Sequence, residues 1–508
     1  MSDKHVYKNT LYLYLRMFIM MLISLYSSRI VLSMLGSSDY GLFNVVGGFT
    51  AFFFFVSNSL SLATERFMAY AIGQHDGRMR KRVFSLSVWF FAMLSVLIFI
   101  VGLIVGIPFV KHQLNIPPGR EEAAVYVYIF ALLSAIFAFM RIPMNASVIA
   151  YERMGFYAWI SIVESALKLL LLFFLCTVDY DKLILYAVML MGMSLTITLV
   201  YAGYCHRQFH DYTYSGIFDK SLLKSMGRYT GWNLYGSLAD MAILQGLSIV
   251  LNYFFGTIVN AAQAIADQIK AQVAGFVNNL NTASSPAITK HYAEGNMDRV
   301  VGLLFQISKL NYFLLLAVSV PIITVLPAIL DVWLGKGAYP EKTVVLTRLV
   351  LINTLIDTLP GAVQSVVFAS GNIRKYQLFV SGIKFVSIVS VCLVLSFCAV
   401  PEYAYLTLIL FAFPRVFIQI KICCRLISLR EARFYRYVVW YDVMTTAIVV
   451  VLILLTSRAV SSDGILSAVL LGALAAAETV AVLFLLGLNA GEKQSVRELM
   501  KKKLPFLR

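Results

Sequence analysis

"AAQAIADQIKAQVAGFVNNLNTASSPA", residues 261–287, places Asp267, Lys270, Asn278, Asn279 and Asn281 in a chain that is otherwise 60% hydrophobic. Of its 508 residues only 13% are charged, and the mean hydropathy is +0.80. Soluble domains carry roughly a quarter charged residues, so the composition excludes that class and implies a polytopic membrane protein. On a helical wheel Gln263, Asp267, Lys270, Asn278, Asn281 and Ser285 share one arc, with Gln268, Gln272, Asn279 and Thr282 beside it. Ala262, Ile265, Ile269, Val273, Phe276 and Leu280 form the opposite face, expected toward lipid. A helix divided this way at membrane depth must turn its polar side to water or protein. A helix lying in the interface would break the alternation of basic loops described next, so a cavity-lining transmembrane helix is the better account.

Outward from this segment, apolar stretches of about 20 residues recur along the chain, each long enough to cross a bilayer. They cover 11–34, 40–64, 83–107, 123–150, 156–176, 183–204, 229–255, 261–287, 300–326, 344–370, 378–398, 404–424, 437–457 and 464–488. The expected fold class is an all-α polytopic membrane protein with about 14 transmembrane helices. Most of the 42 Lys and Arg fall on alternate loops, among them "GRMRKR" (77–82), "RLISLREARFYR" (425–436) and the tail "RELMKKKLPFLR" (497–508). The positive-inside rule then places both termini in the cytoplasm. A net charge of +16 raises the question of nucleic acid, but these runs flank helices and no folded basic domain holds them. Anionic membrane lipid is the expected partner, with no nucleic acid. The first span is too long for a signal-peptide core and lacks a small-residue cleavage site, so it is expected to remain as an anchor. The six Cys form no disulfide or metal framework. The six His (His5, His75, His112, His206, His210, His291) are all placed in loops, so neither a metal site nor a cofactor is expected.

The chain also repeats itself. "FVSN" (Phe55–Asn58) matches "FVNN" (Phe276–Asn279) at an offset of 221, and "YAIGQHD" (Tyr70–Asp76) matches "YAEGNMD" (Tyr292–Asp298) at 222. "IPMNASVIAYER" (142–153) and "LPGAVQSVVFASGNIR" (359–374) share a proline followed by a polar and β-branched run. The common offset implies two parallel six-helix repeats, 1–228 and 229–424, followed by two further helices over 425–488 and a basic tail over 489–508.

Other spans carry weaker polar faces. Asn233, Ser237 and Asp240 share one face of the seventh, Asn353, Asp357 and Gln364 one of the tenth, and Ser134, Arg141 and Asn145 one of the fourth. Glu164 and Lys168, four apart on the fifth, read as a neutralising ion pair. Arg16, Lys384 and Arg348 read as helix-end residues that snorkel. Lys309 and Arg415 lie deeper, and Glu478 sits among small residues, where it packs helices or faces a lateral groove. Within the spans Arg16, Arg29, Arg141, Lys168, Lys270, Lys309, Arg348, Lys384 and Arg415 outnumber Glu164, Asp240, Asp267, Asp357 and Glu478. A cavity lined by even half of them has a positive field, which favours an anionic solute such as a phosphate or pyrophosphate headgroup.

"SSRIVLSMLGSSDYGLFNVV" (27–46) resembles the N-terminal signature of the polysaccharide flippases in the multidrug/oligosaccharidyl-lipid/polysaccharide exporter superfamily, with its MATE-like fold. It has an Arg late in the first helix, then Leu-Gly, then an aromatic-Gly pair opening the second. The resemblance implies alternating-access transfer of undecaprenyl-diphosphate-linked oligosaccharide across a bacterial cytoplasmic membrane. It also implies a monomer working beside a polysaccharide polymerase and chain-length machinery. By the same resemblance Arg29 is a cavity or gate arginine; from position alone it is equally a helix-end anchor.

Three function classes compete. The flippase class needs a wet cationic cavity, to which Arg29, Asn58, Arg141, Asn233, Asp240, Asp267, Lys270, Asn278, Asn281, Lys309, Asp357 and Gln364 are assigned. A multidrug antiporter of the same fold uses carboxylates for cationic drugs and for a coupling ion, Na⁺ or H⁺; Asp240, Asp267 and Asp357 keep it open. A membrane polymerase or ligase needs catalytic groups outside, but the longest outside loops, 108–122 and 327–343, are short and hold one His. No nucleophile, metal-ligand or nucleotide-binding motif is present, so no catalytic residue is assigned.

Overall fold

The computed structural model describes residues 11–20, 23, 60–113, 119–175, 180–209, 219–336, 339–459, 464–487 and 493. Among these residues the chain is helical between turns, with no strand. The expected spans over 11–34 and 40–64 are described only at α1 (Leu11–Met20) and α2 (residues 60–73). There follow α3 (Gly77–Gly106), α4 (Glu121–Ala150), α5 (Met154–Leu175), α6 (Lys182–Gln208) and α7 (Lys220–Gly256). Next come α8 (257–293), α9 (Met297–Leu334), α10 (Thr343–Thr358) and α11 (Val363–Ser370). The chain continues through α12 (Arg374–Phe397), α13 (Glu402–Leu426), α14 (Glu431–Ser457) and α15 (Leu466–Gly487). Ten of these helices are long and apolar enough to cross a membrane, and α10 with α11, bent by 49°, make an eleventh. That is fewer than the number expected from sequence. The first two spans fall mostly outside the described residues, and α8, which covers the eighth, is too polar to count among the apolar helices. The chain is a multi-pass membrane protein.

Local chemistry sets the helix ends. Asp76, Asp181 and Asp219 each cap a helix by accepting from amides of its first turn, which satisfies donors the helix leaves unpaired. α7 and α8 run on without a loop, and their junction is Gly256, whose φ of 74° and ψ of −168° suit only glycine. The stretch 327–334, expected as loop, continues α9.

Contacts divide the chain into two compact units, one of Met1–Ser237 with Thr282–Asn296 and the other of Leu238–Asn281 with Met297–Arg508. In the first, α3, α4 and α6 pack around Phe91, Val127, Tyr128, Leu132, Phe139 and Leu183. The Tyr128 hydroxyl donates to the Gly102 carbonyl at 2.9 Å. A Cβ at Gly106 would lie 1.9 Å from that hydroxyl, so the close approach requires glycine. In the second unit, Leu247 and Leu251 of α7 meet Ala262 and Ala266 of α8, Leu346 and Val350 of α10, Val391 of α12 and Leu408 of α13. Large apolar side chains such as Trp89, Ile104, Leu199, Phe397 and Leu410 point outward, as a lipid solvent permits.

The turn after α2 recurs after α8. Gln74 N, His75 N and Asp76 N donate to Tyr70 O, Ile72 O and Ala71 O, while Glu294 N, Gly295 N and Asn296 N donate to Lys290 O, Tyr292 O and His291 O. His75 and Gly295, 220 positions apart, both have positive φ, 53° and 76°. The left-handed residue fixes this register, so the turns align at 220 where the residue identities suggested 222.

Candidate functional site

In the first unit, α4, α5 and α6 gather a polar group at membrane depth. Arg141 Nη1 donates to both Glu164 oxygens at 3.2 Å, and its guanidinium stands 5.7 Å from the Tyr201 ring. Tyr201 donates to Asn145 Oδ1 at 3.5 Å. Ser194 and Thr198 of α6 donate to carbonyls of Ser134 and Phe137 on α4, which holds the two helices in register. Arg16 of α1 lies 4.5 Å over the Tyr157 ring, so its expected role as a helix-end anchor is corrected to a tertiary contact. The expected Glu164–Lys168 pair is likewise corrected: Glu164 binds Arg141, and Lys168 keeps only a longer-range attraction to it. Three cations thus accompany one carboxylate.

Asn233, also in this unit, is buried on α7. Beyond this group, Lys290 Nζ donates to Glu152 Oε1 at 2.7 Å with both side chains buried. Gln74 donates to the Ala293 carbonyl. His206 and His291 occupy last turns of helices, not loops, and His291 meets Glu294 at 2.9 Å.

In the second unit the carboxylates are largely answered by cations. Asp240 accepts from Lys384 and Asp357 from Arg415, which corrects Lys384 from a snorkelling residue to an ion-pair partner. Tyr376 is within electrostatic reach of Asp240, Asp357 and Arg415. Asp267 accepts from Gln263 at 3.3 Å and feels Lys270 one turn on. Asn281 accepts from Asn311 at 2.8 Å. Gln364 and Asn278 are exposed. Arg348 reaches the Ile323 carbonyl at 3.4 Å, and Glu478 accepts from Thr456 at 3.5 Å. Arg29 and Asn58 lie outside the described residues.

The environment of α8 differs from the wheel in two respects: Gln263 and Asn279 of the polar side are buried, and the apolar face is not turned outward. Ala262, Val273 and Leu280 are buried in protein, Ile269 is half-buried, and the exposed positions are Ala261, Ala264, Gln268, Ala271, Gln272 and Asn278. The apolar face therefore packs into the unit, and the accessible side is small and polar.

The charged residues missed from sequence include the buried Lys290–Glu152 pair and Asp442. Asp442 lies in α14, inside the expected span 437–457, yet is fully buried, with neither carboxylate oxygen hydrogen-bonded. Lys309 is its electrostatic neighbour and rests 4.7 Å over the Tyr441 ring. The signal was available, since a carboxylate in an apolar run is costly without a role. Among the described residues no cluster of His, Cys, Asp and Glu could hold a metal.

Fold and polar interior together define a multi-pass membrane protein of MATE-type architecture. A family model described as MatE matches residues 13–174. An outward-facing multidrug resistance MATE family transporter of the MOP superfamily superposes with a TM-score of 0.67, covering 83% of this chain and 96% of its own at 16% identity. A MATE structure in its straight conformation gives 0.70, covering 84% and 96% at 15%. A MOP superfamily transporter from Pyrococcus furiosus Vc1, described as having a binding pocket of reverse polarity suggesting a different function, gives 0.67, covering 83% and 96% at 16%. At these identities the likeness is one of fold. Comparison with curated proteins gives no match.

Proposed function

We propose that the protein is a flippase for lipid-linked oligosaccharides carried on undecaprenyl diphosphate. It works by alternating access in a bacterial cytoplasmic membrane with both termini cytoplasmic, for O-antigen, capsule or exopolysaccharide assembly. The observation that carries the reading is the sign of the first unit's polar group, where among the described residues Arg141 pairs with Glu164, Lys168 is within electrostatic reach of it and Arg16 lies over the adjoining Tyr157 ring, three cations with one carboxylate. A pyrophosphate at membrane depth costs several kcal/mol per charge unless fixed cations accompany it. Pairing of Asp240 and Asp357 with Lys384 and Arg415 supports the same reading, because it leaves those carboxylates less available to a cationic drug. The recurrent turns at His75 and Gly295 support two parallel halves at 1–228 and 229–424. Action as a monomer beside a polysaccharide polymerase belongs to the proposal.

A second reading is a multidrug antiporter exchanging organic cations for Na⁺ or H⁺. It is favoured by the multidrug MATE transporter among the similar structures and by the exposure of Asp240, whose side chain is 66% accessible. Proteoliposomes decide between them. Arg141→Gln with Lys270→Gln should abolish transfer of a fluorescent polyprenyl-diphosphate oligosaccharide and spare export of a lipophilic cationic dye. Retained oligosaccharide transfer with lost dye export would replace the flippase by the antiporter.

A further inference from the structure

Two π-helical turns on different helices open onto one cavity. Tyr435–Val439 forms a π turn near the start of α14 and Leu483–Gly487 another at the end of α15. Arg436 and Tyr437 from the first turn and Leu486 from the second line a cavity of about 450 Å³ with Trp440, Tyr441 and Met444. A π turn inserts one residue into a helix and is concentrated at functional positions, and here two converge. Gly487 fixes the second wall, since a Cβ there would sit 2.6 Å from the Phe313 ring, so only glycine lets α15 lie this close to α9.

The walls are oily and the rim is cationic. Trp440 is 60% exposed, and Met444 and Leu486 are also open, a surface that in a membrane faces lipid chains. Arg436 is exposed and has no ion-pair partner among the described residues. Lys493 Nζ donates to the carbonyl of Leu485 at 2.7 Å, one residue from the cavity-lining Leu486, which puts a second ammonium close to the cavity wall. Behind Tyr441 lie Lys309 and its electrostatic neighbour Asp442, and the cations nearest the mouth are Arg436 and Lys493. Trp and Tyr beside Arg and Lys mark headgroup level.

We propose that this cavity binds an anionic phospholipid of the surrounding membrane, its phosphodiester held by Arg436 and Lys493 and its chains lying along Trp440, Met444 and Leu486. The site is independent of what the protein transports, because neither Arg141 nor Lys270 lines it and its mouth opens on the lipid-facing surface.

Native mass spectrometry of the purified full chain in mixed micelles tests this. Phosphatidylglycerol should be retained over phosphatidylcholine. Arg436→Gln with Lys493→Gln should weaken phosphatidylglycerol about thirtyfold, from about 1 kcal/mol per basic residue, while Arg425→Gln, exposed outside the cavity, should leave binding unchanged. Met444→Trp, which fills the cavity with both charges in place, should also reduce retention. Equal retention of the two lipids, or full retention by the double variant, overturns the proposal. So does displacement of phosphatidylglycerol by an equal concentration of polyprenyl phosphate, which would assign the cavity to the transported lipid.

Discussion

Arg141 on α4 donates through a single nitrogen, Nη1, to both carboxylate oxygens of Glu164 on α5, each at 3.2 Å. The pair is partly accessible, at 21% and 31% of the two side chains, so the rest of the guanidinium fork can meet a further anion. Planarity then matters as well as charge. Arg141→Lys keeps the cation and loses the fork, and should weaken transport of a diphosphate-linked substrate about tenfold, the scale of one charge-assisted hydrogen bond. Glu164→Gln removes the competing carboxylate and should leave that transport intact or improved. Proteoliposome initial rates at several substrate concentrations measure both effects. Loss of transport in Glu164→Gln equal to that in Arg141→Gln would reduce the pair to a structural strut.

Lys290 and Glu152 make a different kind of pair, buried at 9% and 3% accessibility with 2.7 Å between Nζ and Oε1. Removing one partner leaves an uncompensated buried charge and should cost about 3–5 kcal/mol, whereas replacing both by Met should be nearly neutral. Thermal unfolding in detergent of Glu152→Met, Lys290→Met and the double variant measures this. Additive losses would show the two residues acting separately.

The polar arc of α8 was legible in the sequence because helical period alone collects Asp267, Lys270, Asn278 and Asn281 on one side. Its apolar side was assigned to lipid and is in fact packed in protein, since period separates two faces without naming the solvent of either. Lipid, being as apolar as a protein core, gives no compositional contrast. Partners distant in sequence were not legible: Arg16 meets Tyr157 and Lys384 meets Asp240 only through the fold, and near a span end each looks like an anchor. The likeness of the two turns was visible in identities, but their register is set by the positive φ of His75 and Gly295, a backbone property those letters do not reveal.

Asp219 gives a pH-dependent prediction outside the spanning segments. The Ser221 hydroxyl foremost, then the Leu222 and Ser221 amides and Arg82, hold its carboxyl below the usual range. The folded state therefore binds this proton less readily than the unfolded chain does. The cap's electrostatic contribution is full above the ordinary Asp value of about 4 and is lost as pH falls through the depressed one. Asp219→Asn keeps a capping side chain without the charge. Unfolding midpoints should fall less steeply for this variant than for wild type between about pH 5 and pH 3. Parallel curves would show that the carboxylate adds nothing beyond its hydrogen bonds.

The bend between α10 and α11 rests on Gly361 and Ser308. Gly361 has a φ of 55°, and a Cβ there would lie 2.3 Å from Ser308 Cα and 2.5 Å from its Cβ. Ser308, fully buried, accepts from the Ala362 amide at 3.0 Å, a group the broken helix leaves unpaired, and donates at 3.3 Å to the Pro360 carbonyl, which also accepts from the Val363 amide. In lipid such groups have no water to turn to. Gly361→Ala combines left-handed strain with a backbone collision and should cost at least about 3 kcal/mol. Ser308→Ala leaves the bend sterically possible but orphans the Ala362 amide, and should cost about 2 kcal/mol. Asp357 stands one turn before the bend and pairs with Arg415, so the two variants should also differ there. A cysteine pair at 357 and 415 should still cross-link in the Ser308→Ala background and fail in Gly361→Ala, because only the second must move α10 or α11 to fit. If Gly361→Ala unfolds with the wild-type midpoint and cross-links normally, the bend is not held by this contact, and the position of Asp357 must be set by α13 alone.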